Sequence, residues 1–199
     1  MADGPLIVQS DRTVLLEVAH PEATAARHAL AVFAELERAP EHVHTYRITR
    51  LGRWNARAAG HTADEMLDVL ERYSKFPVPS SVAIDLTETV NRYGRLTIDR
   101  VGGGSDDSDT LRLRSDDAAV LTEVAGAKKI APLLAGRLSD DAFAVAPWAR
   151  GELKQELVKL GWPAEDFAGY SPGTPHEFDL DPERAAHGWD LRPYQQDAI

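Results

Sequence analysis

Cysteine is absent from this sequence of 199 residues. Its absence excludes disulfide bonds, thiol nucleophiles and metal sites built on thiolates. Long apolar runs are absent too, because no segment approaches the roughly 18 consecutive apolar residues of a membrane-spanning helix. The first residues carry neither the basic region nor the apolar length of a secretory signal. Together these absences favour a cytoplasmic protein without a membrane partner.

Positive charge is scarce. The chain has 22 lysine and arginine residues against 32 aspartate and glutamate residues, which gives a formal net charge of −10. This balance excludes a uniformly basic nucleic-acid-binding protein, but it leaves room for a local basic patch. The hydrophobic content of 43% is enough for a packed core in one large domain or two small ones.

Catalytic and metal-binding motifs are missing as well. The glycines at 102–104 are not followed by the Lys-Ser/Thr pair of a phosphate-binding loop, and the aspartates within 106–109 lack the further ligands of a calcium loop. His42 and His44 point to the same side of an expected strand, but no third or fourth ligand is evident. We therefore predict no catalytic residue, no metal site and no bound cofactor in this chain.

The first forty residues read as a hairpin followed by a helix. Apolar, β-branched runs at 6–8 and 14–18 flank a polar turn, which predicts two paired strands. Apolar side chains then recur at helical spacing, which predicts an amphipathic helix over 22–38.

Three further helices are expected between a short strand near Tyr46 and a second hairpin at 95–114. Residues 62–65 form a capping-box signal, Pro77 and Pro79 forbid one continuous helix, and Ser80 or Ser81 is expected to cap the third helix. Strand, three helices and hairpin follow the order of a winged helix. We predict an α/β (α+β) fold whose winged-helix-like lobe occupies 1–94, with 95–114 as its wing hairpin.

The second half reads as hairpin, helix, strand and helix, which predicts a small α/β lobe over 95–170. Ser115 is expected to cap the first of these helices, and Gly161 to end the second. Residues 171–188 are rich in proline, glycine and charge and are interpreted as a linker. The last residues of 171–199 look like the start of another domain.

A basic group stands out against the acidic background. Arg47, Arg50, Arg53 and Arg57 occur with no acid between them, and the last three share one face of a helix. Such a stripe can bind phosphates, although a solvated face paired with acids of other segments fits the same pattern.

A second candidate basic patch lies in the later lobe. Its members are five cations with Trp148 near by, which is available to stack on an unpaired base: Lys128, Lys129, Arg137, Arg150 and Lys154. The same two interpretations apply to it.

The third helix is unsuited to reading a DNA sequence. Its expected outward residues include Asp85 and Glu88, which phosphates repel, and Arg92 is its only cation. A winged helix with an acidic third helix is more typical of a protein-binding or spacer module.

Several segments match a known family in order and spacing. They are Pro5-Leu6-Ile7-Val8 with Val14-Leu15-Leu16-Glu17, then His42-Val43-His44-Thr45-Tyr46-Arg47-Ile48-Thr49, Tyr73-Ser74-Lys75-Phe76-Pro77-Val78-Pro79, Tyr93-Gly94-Arg95-Leu96, the run from Leu160 to Tyr170, and Leu191-Arg192-Pro193-Tyr194-Gln195. From about residue 5 to the end, the chain resembles the region that precedes the helicase core in XPB-type superfamily-2 DNA repair helicases of bacterial type.

The resemblance implies a role for each part. The N-terminal part resembles the module that binds a neighbouring subunit and regulates the motor in the eukaryotic transcription factor TFIIH. Residues 95–170 resemble the damage-recognition domain, and Gln195 matches the glutamine that reads adenine at the entry to the helicase lobe. The implied partners are the protein's own helicase lobes, distorted or forked DNA, and a repair nuclease or accessory protein. A nucleoid-associated cytoplasmic location follows.

The resemblance places the Walker A, acidic-box and arginine motifs after Ile199. We therefore expect no ATP hydrolysis by these 199 residues, whereas the parent helicase is expected to use ATP and magnesium. Two other hypotheses remain open. One is a protein-docking module that recruits or regulates a partner without touching DNA, and the other is a stand-alone transcription regulator.

Overall fold

The computed structural model describes residues 4–101, 110–169 and 192. The first half contains β1 (Leu6–Val8), β2 (Thr13–Glu17), α1 (Ala23–Leu30), β3 (Glu35–Arg38), β4 (Val43–Arg47), α2 (Arg50–Ala58), α3 (Ala63–Tyr73) and α4 (Ser80–Arg92). The second half contains β5 (Leu96–Arg100), β6 (Leu111–Arg114), α5 (Ala118–Gly126), β7 (Leu134–Ser139), β8 (Ala142–Val145), α6 (Arg150–Leu160) and β9 (Ala164–Asp166). The mixture of two sheets and six helices in this part of the chain confirms the α/β (α+β) class.

The first lobe, residues 4–93, is built on a four-stranded antiparallel sheet in the order β1-β2-β4-β3. The predicted hairpin is confirmed, with Leu6 opposite Leu16. The backbone N–H of Lys75 donates to the carbonyl of Leu6 at 2.7 Å, so the segment after α3 covers the edge of β1. One face of the sheet packs on the helices around a core that includes Leu6, Leu16, Phe33, Met66, Leu70 and Leu86.

The helix predicted over 22–38 is wrong in its second half. The helix α1 ends at Leu30, and the chain turns through Phe33 into β3, where Leu36 lies opposite Tyr46. All four residues of β3 are exposed, so this strand lacks the apolar alternation that would have predicted it. Pairing with β4 decides its conformation, since edge strands are stabilised by their partner rather than by local pattern.

The three helices that follow β4 are where the sequence placed them. The Thr49 hydroxyl accepts from the Gly52 N–H at 2.9 Å at the start of α2, and Thr62 and Glu65 form the predicted capping box of α3. The predicted break at Pro77 and Pro79 is confirmed, because α3 ends at Tyr73 and α4 begins at Ser80. The predicted serine cap of α4 is wrong: Pro79 occupies the cap position and no side chain bonds there.

The second lobe, residues 95–168, has a five-stranded sheet in the order β7-β8-β6-β5-β9. Only the β5–β9 pair among the described strands of this sheet is parallel. The predicted hairpin of β5 and β6 forms, with Ile98 opposite Leu113, but these are central strands of this sheet. Their apolar side chains enter a second core with Val124, Leu153 and Leu157. The hairpin predicted as a wing therefore belongs to the second sheet and its core.

Helix ends in the second lobe follow short-range hydrogen bonds. The Asp117 carboxylate accepts from the N–H groups of Ala119 and Val120, so Asp117 caps α5 in place of the expected Ser115. Gly161 ends α6 as predicted, in the left-handed conformation with φ of 95°. The strands β7 and β9 had not been predicted. No helix in the described residues has both the length and the apolar character needed to cross a bilayer.

Replacing Gly52 by alanine is expected to destabilise the protein by about 1–3 kcal/mol, because overpacking strains a filled site. An added Cβ would lie 2.7 Å from the carbonyl oxygen of Phe33. The matched control is Gly151→Ala in α6, where no atom lies within 4 Å of the added Cβ and the higher helix propensity of alanine should stabilise by up to about 1 kcal/mol. Chemical denaturation of both variants checks this, and the same sign of change at both positions would contradict it.

Candidate nucleic-acid interface

Arg47 lies in β4 among acidic groups. Its Nε donates to Glu37 Oε1 at 3.1 Å, and its Nη1 donates to the carbonyl of Asp11 at 3.1 Å. The hydrogen bond with Glu37 raises the pKa of Arg47 above its ordinary value. Because Arg47 Nη1 also lies 3.7 Å from Asp11 Oδ2, two carboxylates compete with any phosphate for this guanidinium.

Arg53 is buried, with 1% of its side chain exposed. Its Nη1 donates to Asp85 Oδ2 at 2.7 Å and to the Asp85 carbonyl at 3.0 Å, while its Nε donates to the Thr49 carbonyl at 3.1 Å. Burial lowers the pKa of Arg53, and the contacts with Asp85 oppose that change. The structure contradicts the prediction that Arg53 contacts DNA, because this side chain joins α2 to α4 inside the lobe.

Asp85 is partly exposed, with 39% of its side chain accessible, but its carboxylate is paired with Arg53 and does not face solvent alone as the sequence had suggested. Burial raises the pKa of its carboxyl, but hydrogen bonding and charge from Arg53, with a further contribution from Arg12, hold that pKa below its usual value. The distance from Arg12 Nη1 to Asp85 Oδ2 is 3.4 Å. Glu88, in contrast, is exposed as expected.

Arg50 and Arg57 remain exposed on α2. Among the described residues, neither has a carboxylate within 4.0 Å or a hydrogen bond. Of the four arginines in the predicted stripe, these two are the ones whose charge is left for an external anion.

The second predicted patch divides into two parts along α6. Arg150 donates through Nε and Nη2 to the two oxygens of Asp166 at 2.9 and 2.7 Å, and the Lys154 ammonium lies 2.9 Å from Asp166 Oδ2. Burial raises the pKa of Asp166, but the bonds from Arg150, Lys154 and the Ala168 N–H outweigh it and leave the pKa lowered. Arg150 and Lys154 thus hold α6 against the end of β9.

Lys128 and Lys129 lie near the other end of α6 and are exposed. They line an open depression of about 320 Å³ together with Glu156, Lys159 and Leu160. Glu156 is the counter-charge here, and its Oε2 lies 3.9 Å from the Lys129 ammonium. This depression therefore keeps an excess of positive charge.

Trp148 is 76% exposed in the short 3-10 helix Pro147–Ala149 that leads into α6. Phe167, directly after Asp166, is 64% exposed. Trp148 precedes Arg150 by two residues and Phe167 follows Asp166. The ion pair between Arg150 and Asp166 therefore ties together the two segments that carry these aromatic side chains. An indole face that is open to solvent can stack on an unpaired nucleic-acid base.

In the comparison with known protein families, residues 6–139 match the family described as "Helicase conserved C-terminal domain". The chain belongs to this family. Among the sites predicted from sequence, this helicase-domain match covers Arg47, Arg50, Arg53, Arg57, Lys128 and Lys129, whereas Trp148, Arg150 and Lys154 follow it.

Individual relatives are similar to the chain over different lengths. It is 57% identical over 199 residues to the DNA 3'-5' helicase XPB of Kineococcus radiotolerans and 55% identical over 196 residues to that of Mycobacterium tuberculosis. These alignments cover 100% and 98% of the chain but 34% of each relative, so the chain spans about a third of their length. It is also 34% identical over 98 residues to the general transcription and DNA repair factor IIH helicase/translocase subunit XPB/SSL2 of Saccharomyces cerevisiae, an alignment that covers 49% of the chain and 12% of the relative.

The remaining site predictions for this helicase-family chain concern other groups. Gln195, the loop at 102–109 and the expected linker at 171–188 lie outside the described residues. Within the described part, no cluster of three or more histidine and carboxylate side chains could hold a metal ion. His42 and His44 are exposed and half-buried, and His44 Nδ1 is a buried atom without a hydrogen-bond partner among the described residues.

The sequence did not indicate which acids pair with the predicted arginines, and these acids decide which arginines are neutralised inside the protein and which are left for an external anion. Asp85 and Asp166 lie 32 and 16 residues from the guanidinium groups that they bind, and no local spacing indicates either pair. Sequence reasoning also missed Trp162, whose ring faces the Arg92 guanidinium at 5.0 Å. The arginine-rich stretch at the start of α2 was visible in the sequence. Which of its arginines are paired with acids could be seen only in the folded structure.

Proposed function

We propose that this chain is the N-terminal regulatory and DNA-engaging part of an ATP-dependent, XPB-like DNA helicase that acts in DNA repair. The similarity to XPB helicases over the whole chain supports the assignment to such a protein. In this proposal residues 1–94 form the regulatory lobe, 95–170 the damage-recognition-like lobe, and 171–199 the linker and entry to the helicase lobe. ATP and magnesium act in the parent helicase, where Gln195 contacts adenine, and the parent works in the cytoplasm at the nucleoid.

The observation that carries the DNA-engaging role is the exposed indole of Trp148. It stands on the surface of an acidic chain, where a tryptophan with 76% exposure contributes nothing to the core. Positive charge that is not bound by internal acids lies at Arg50 and Arg57 and around Lys128. Binding that depends on a few local cations and one stacking residue is weak, sensitive to salt and selective for unpaired bases rather than for sequence.

Replacing Trp148 by alanine is expected to lower the affinity for forked DNA about tenfold, because stacking on an aromatic side chain contributes about 1–3 kcal/mol per base. Affinity for intact duplex should change little. Fluorescence anisotropy with labelled forked and duplex oligonucleotides at two salt concentrations measures both. Phe76→Ala, which removes another aromatic side chain with 58% exposure, is the control. Equal affinity of the Trp148 variant and the control for the fork would contradict the proposal.

The protein-docking alternative has one observation in its favour. Ile84 is 59% exposed on α4, in an open depression of about 300 Å³ lined by Ala83, Thr87 and Glu88. An apolar side chain next to an acid suits a basic, apolar surface of a partner such as a repair nuclease or accessory protein. The absence of fork binding by the unmodified chain at low salt would favour this alternative.

A further inference from the structure

Two arginines from different helices meet at the end of a third helix. Arg50 begins α2, Arg92 ends α4, and Gly161 terminates α6. A Cβ atom built on Gly161 would lie 3.2 Å from Arg92 Nη1 and 3.8 Å from Arg50 Nη1. Both guanidinium groups therefore reach to within 4 Å of the same point, at the place where the first lobe meets the second.

In the part of the chain that the structure describes, these two charges have no carboxylate counter-ion. Within residues 4–101 and 110–169, neither Arg50 nor Arg92 has a carboxylate within 4.0 Å or a hydrogen bond. Like charges this close repel each other, and the arrangement becomes favourable when an anion lies between them.

The helix end alone does not account for the pair. The C-terminus of α6 carries a partial negative charge of about half a unit, which attracts cations but cannot neutralise two of them. Two of its last four carbonyls also accept hydrogen bonds, because the Gly161 N–H donates to the carbonyls of Leu157 and Val158. The two full positive charges of Arg50 and Arg92 therefore exceed the partial negative charge that the helix end supplies.

Arg92 is already held in position. Its guanidinium lies 5.0 Å from the centre of the Trp162 ring, and the Trp162 Nε1–H donates to Glu123 Oε1 at 3.1 Å. Arg92 is half-buried, whereas Arg50 is exposed and gives access from solvent. Glycine at 161 keeps open the point that both arginines approach, since any side chain would occupy it. Glu165 follows α6 as well, and its Oε2 would lie 3.6 Å from a Cβ atom built on Gly94, whereas no acid lies within 4 Å of the Cβ built on Gly161 among the three nearest atoms.

We propose that Arg50 and Arg92 form a phosphate-binding site over Gly161 and that its ligand is a phosphodiester group of the nucleic-acid backbone. Guanidinium groups match the oxygens of a phosphate in both charge and geometry. The site rests on the proposed DNA-engaging function and adds to it a defined contact with the nucleic-acid backbone at the junction of the lobes. A bound phosphate joins α2 and α4 to α6.

The test uses the four tryptophans of the chain as probes. The protein is labelled with 5-fluorotryptophan, and its ¹⁹F resonances are assigned with Trp162→Phe and Trp148→Phe. Forked oligonucleotide is titrated in one series and inorganic phosphate at constant ionic strength in another. We expect the fork to shift the Trp162 resonance. Arg50→Gln and Arg92→Gln should each abolish that shift and raise the Kd about tenfold, and each should reduce the salt slope of binding by about one.

Arg72→Gln is the matched control. Arg72 also faces an aromatic ring, with its guanidinium 5.2 Å from the centre of Tyr73, and it has no carboxylate within 4.0 Å among the described residues. It lies on α3, away from Gly161 in sequence, so Arg72→Gln should leave both the shift and the Kd unchanged. A loss of binding in this control equal to that of Arg50→Gln would overturn the site, because general loss of positive charge would then explain the effect.

The remaining outcomes separate this inference from the proposed function. If the fork binds and shifts Trp148 while Trp162 does not respond, the phosphate site is overturned and the proposed function stands. If the fork does not bind but inorganic phosphate shifts Trp162 in an Arg50-dependent manner, the proposed function and the nucleic-acid source of the phosphate are both overturned.

Discussion

Asp85→Ala is expected to lower the free energy of unfolding by about 3 kcal/mol, because it leaves the buried guanidinium of Arg53 without the carboxylate that pairs with it. Arg53 is 1% exposed and receives its main charge compensation from the Asp85 carboxylate at 2.7 Å. Without that carboxylate, the guanidinium keeps only the carbonyls of Asp85 and Thr49. Its Nη2 is already a buried atom with no hydrogen-bond partner among the described residues.

Urea denaturation of Asp85→Ala and Asp68→Ala measures this effect. Asp68 is an exposed residue of α3, and its removal should change the stability by no more than about 0.5 kcal/mol. The double variant Arg53→Met with Asp85→Leu should regain most of the stability, because apolar replacement of both partners removes the uncompensated charge. If Asp85→Ala were as stable as Asp68→Ala, Arg53 would have to reach water, contrary to the structure.

Asp166→Ala is expected to lower the free energy of unfolding by about 3 kcal/mol at neutral pH, because it breaks the ion pair between Asp166 and Arg150, both of which are largely buried. The side chain of Asp166 is 9% exposed and that of Arg150 is 16% exposed. The carboxylate also accepts from the Ala168 N–H at 3.2 Å, so its loss frees the segment after β9. Asp140→Ala, at a fully exposed position of the same lobe, is the control.

The difference between the unmodified protein and Asp166→Ala should depend on pH. The pKa of Asp166 is lowered in the folded state, despite the opposing effect of burial. A lowered carboxyl pKa contributes stability that is complete above the unfolded value of about 3.9 and is lost as the pH falls through the lower folded value. The difference should therefore be constant above about pH 5 and shrink below it. A difference that grew on acidification would contradict this assignment.

Local signals predicted the first lobe well. The β1–β2 hairpin, the capping box at Thr62 and Glu65 and the break at Pro77 and Pro79 all form, because each depends on neighbours within a few residues. The strands β3 and β7 escaped prediction since nearly all their residues are exposed and show no apolar alternation. They form because they pair with β4 and β8, and the residues of a strand alone do not predict such pairing.

The candidate site shows the same division. Spacing predicted that Arg50, Arg53 and Arg57 share a face of α2, but not that the middle one is buried. Asp85 of α4 approaches that face and forms an ion pair with Arg53, whereas Arg50 and Arg57 stay exposed. Arg150 and Lys154 likewise form ion pairs with Asp166, which belongs to the unpredicted strand β9.

The sequence by itself determined the class of fold, the positions of most helices, the resemblance to XPB-type helicases and the presence of arginine clusters on an acidic chain. These follow from periodicity, capping residues and residue types, which act over short distances along the chain. Only the tertiary structure decided which cations are neutralised and which remain for an external anion. That choice depends on acids brought from distant segments, since an ion pair depends on distance in space and not on separation in sequence.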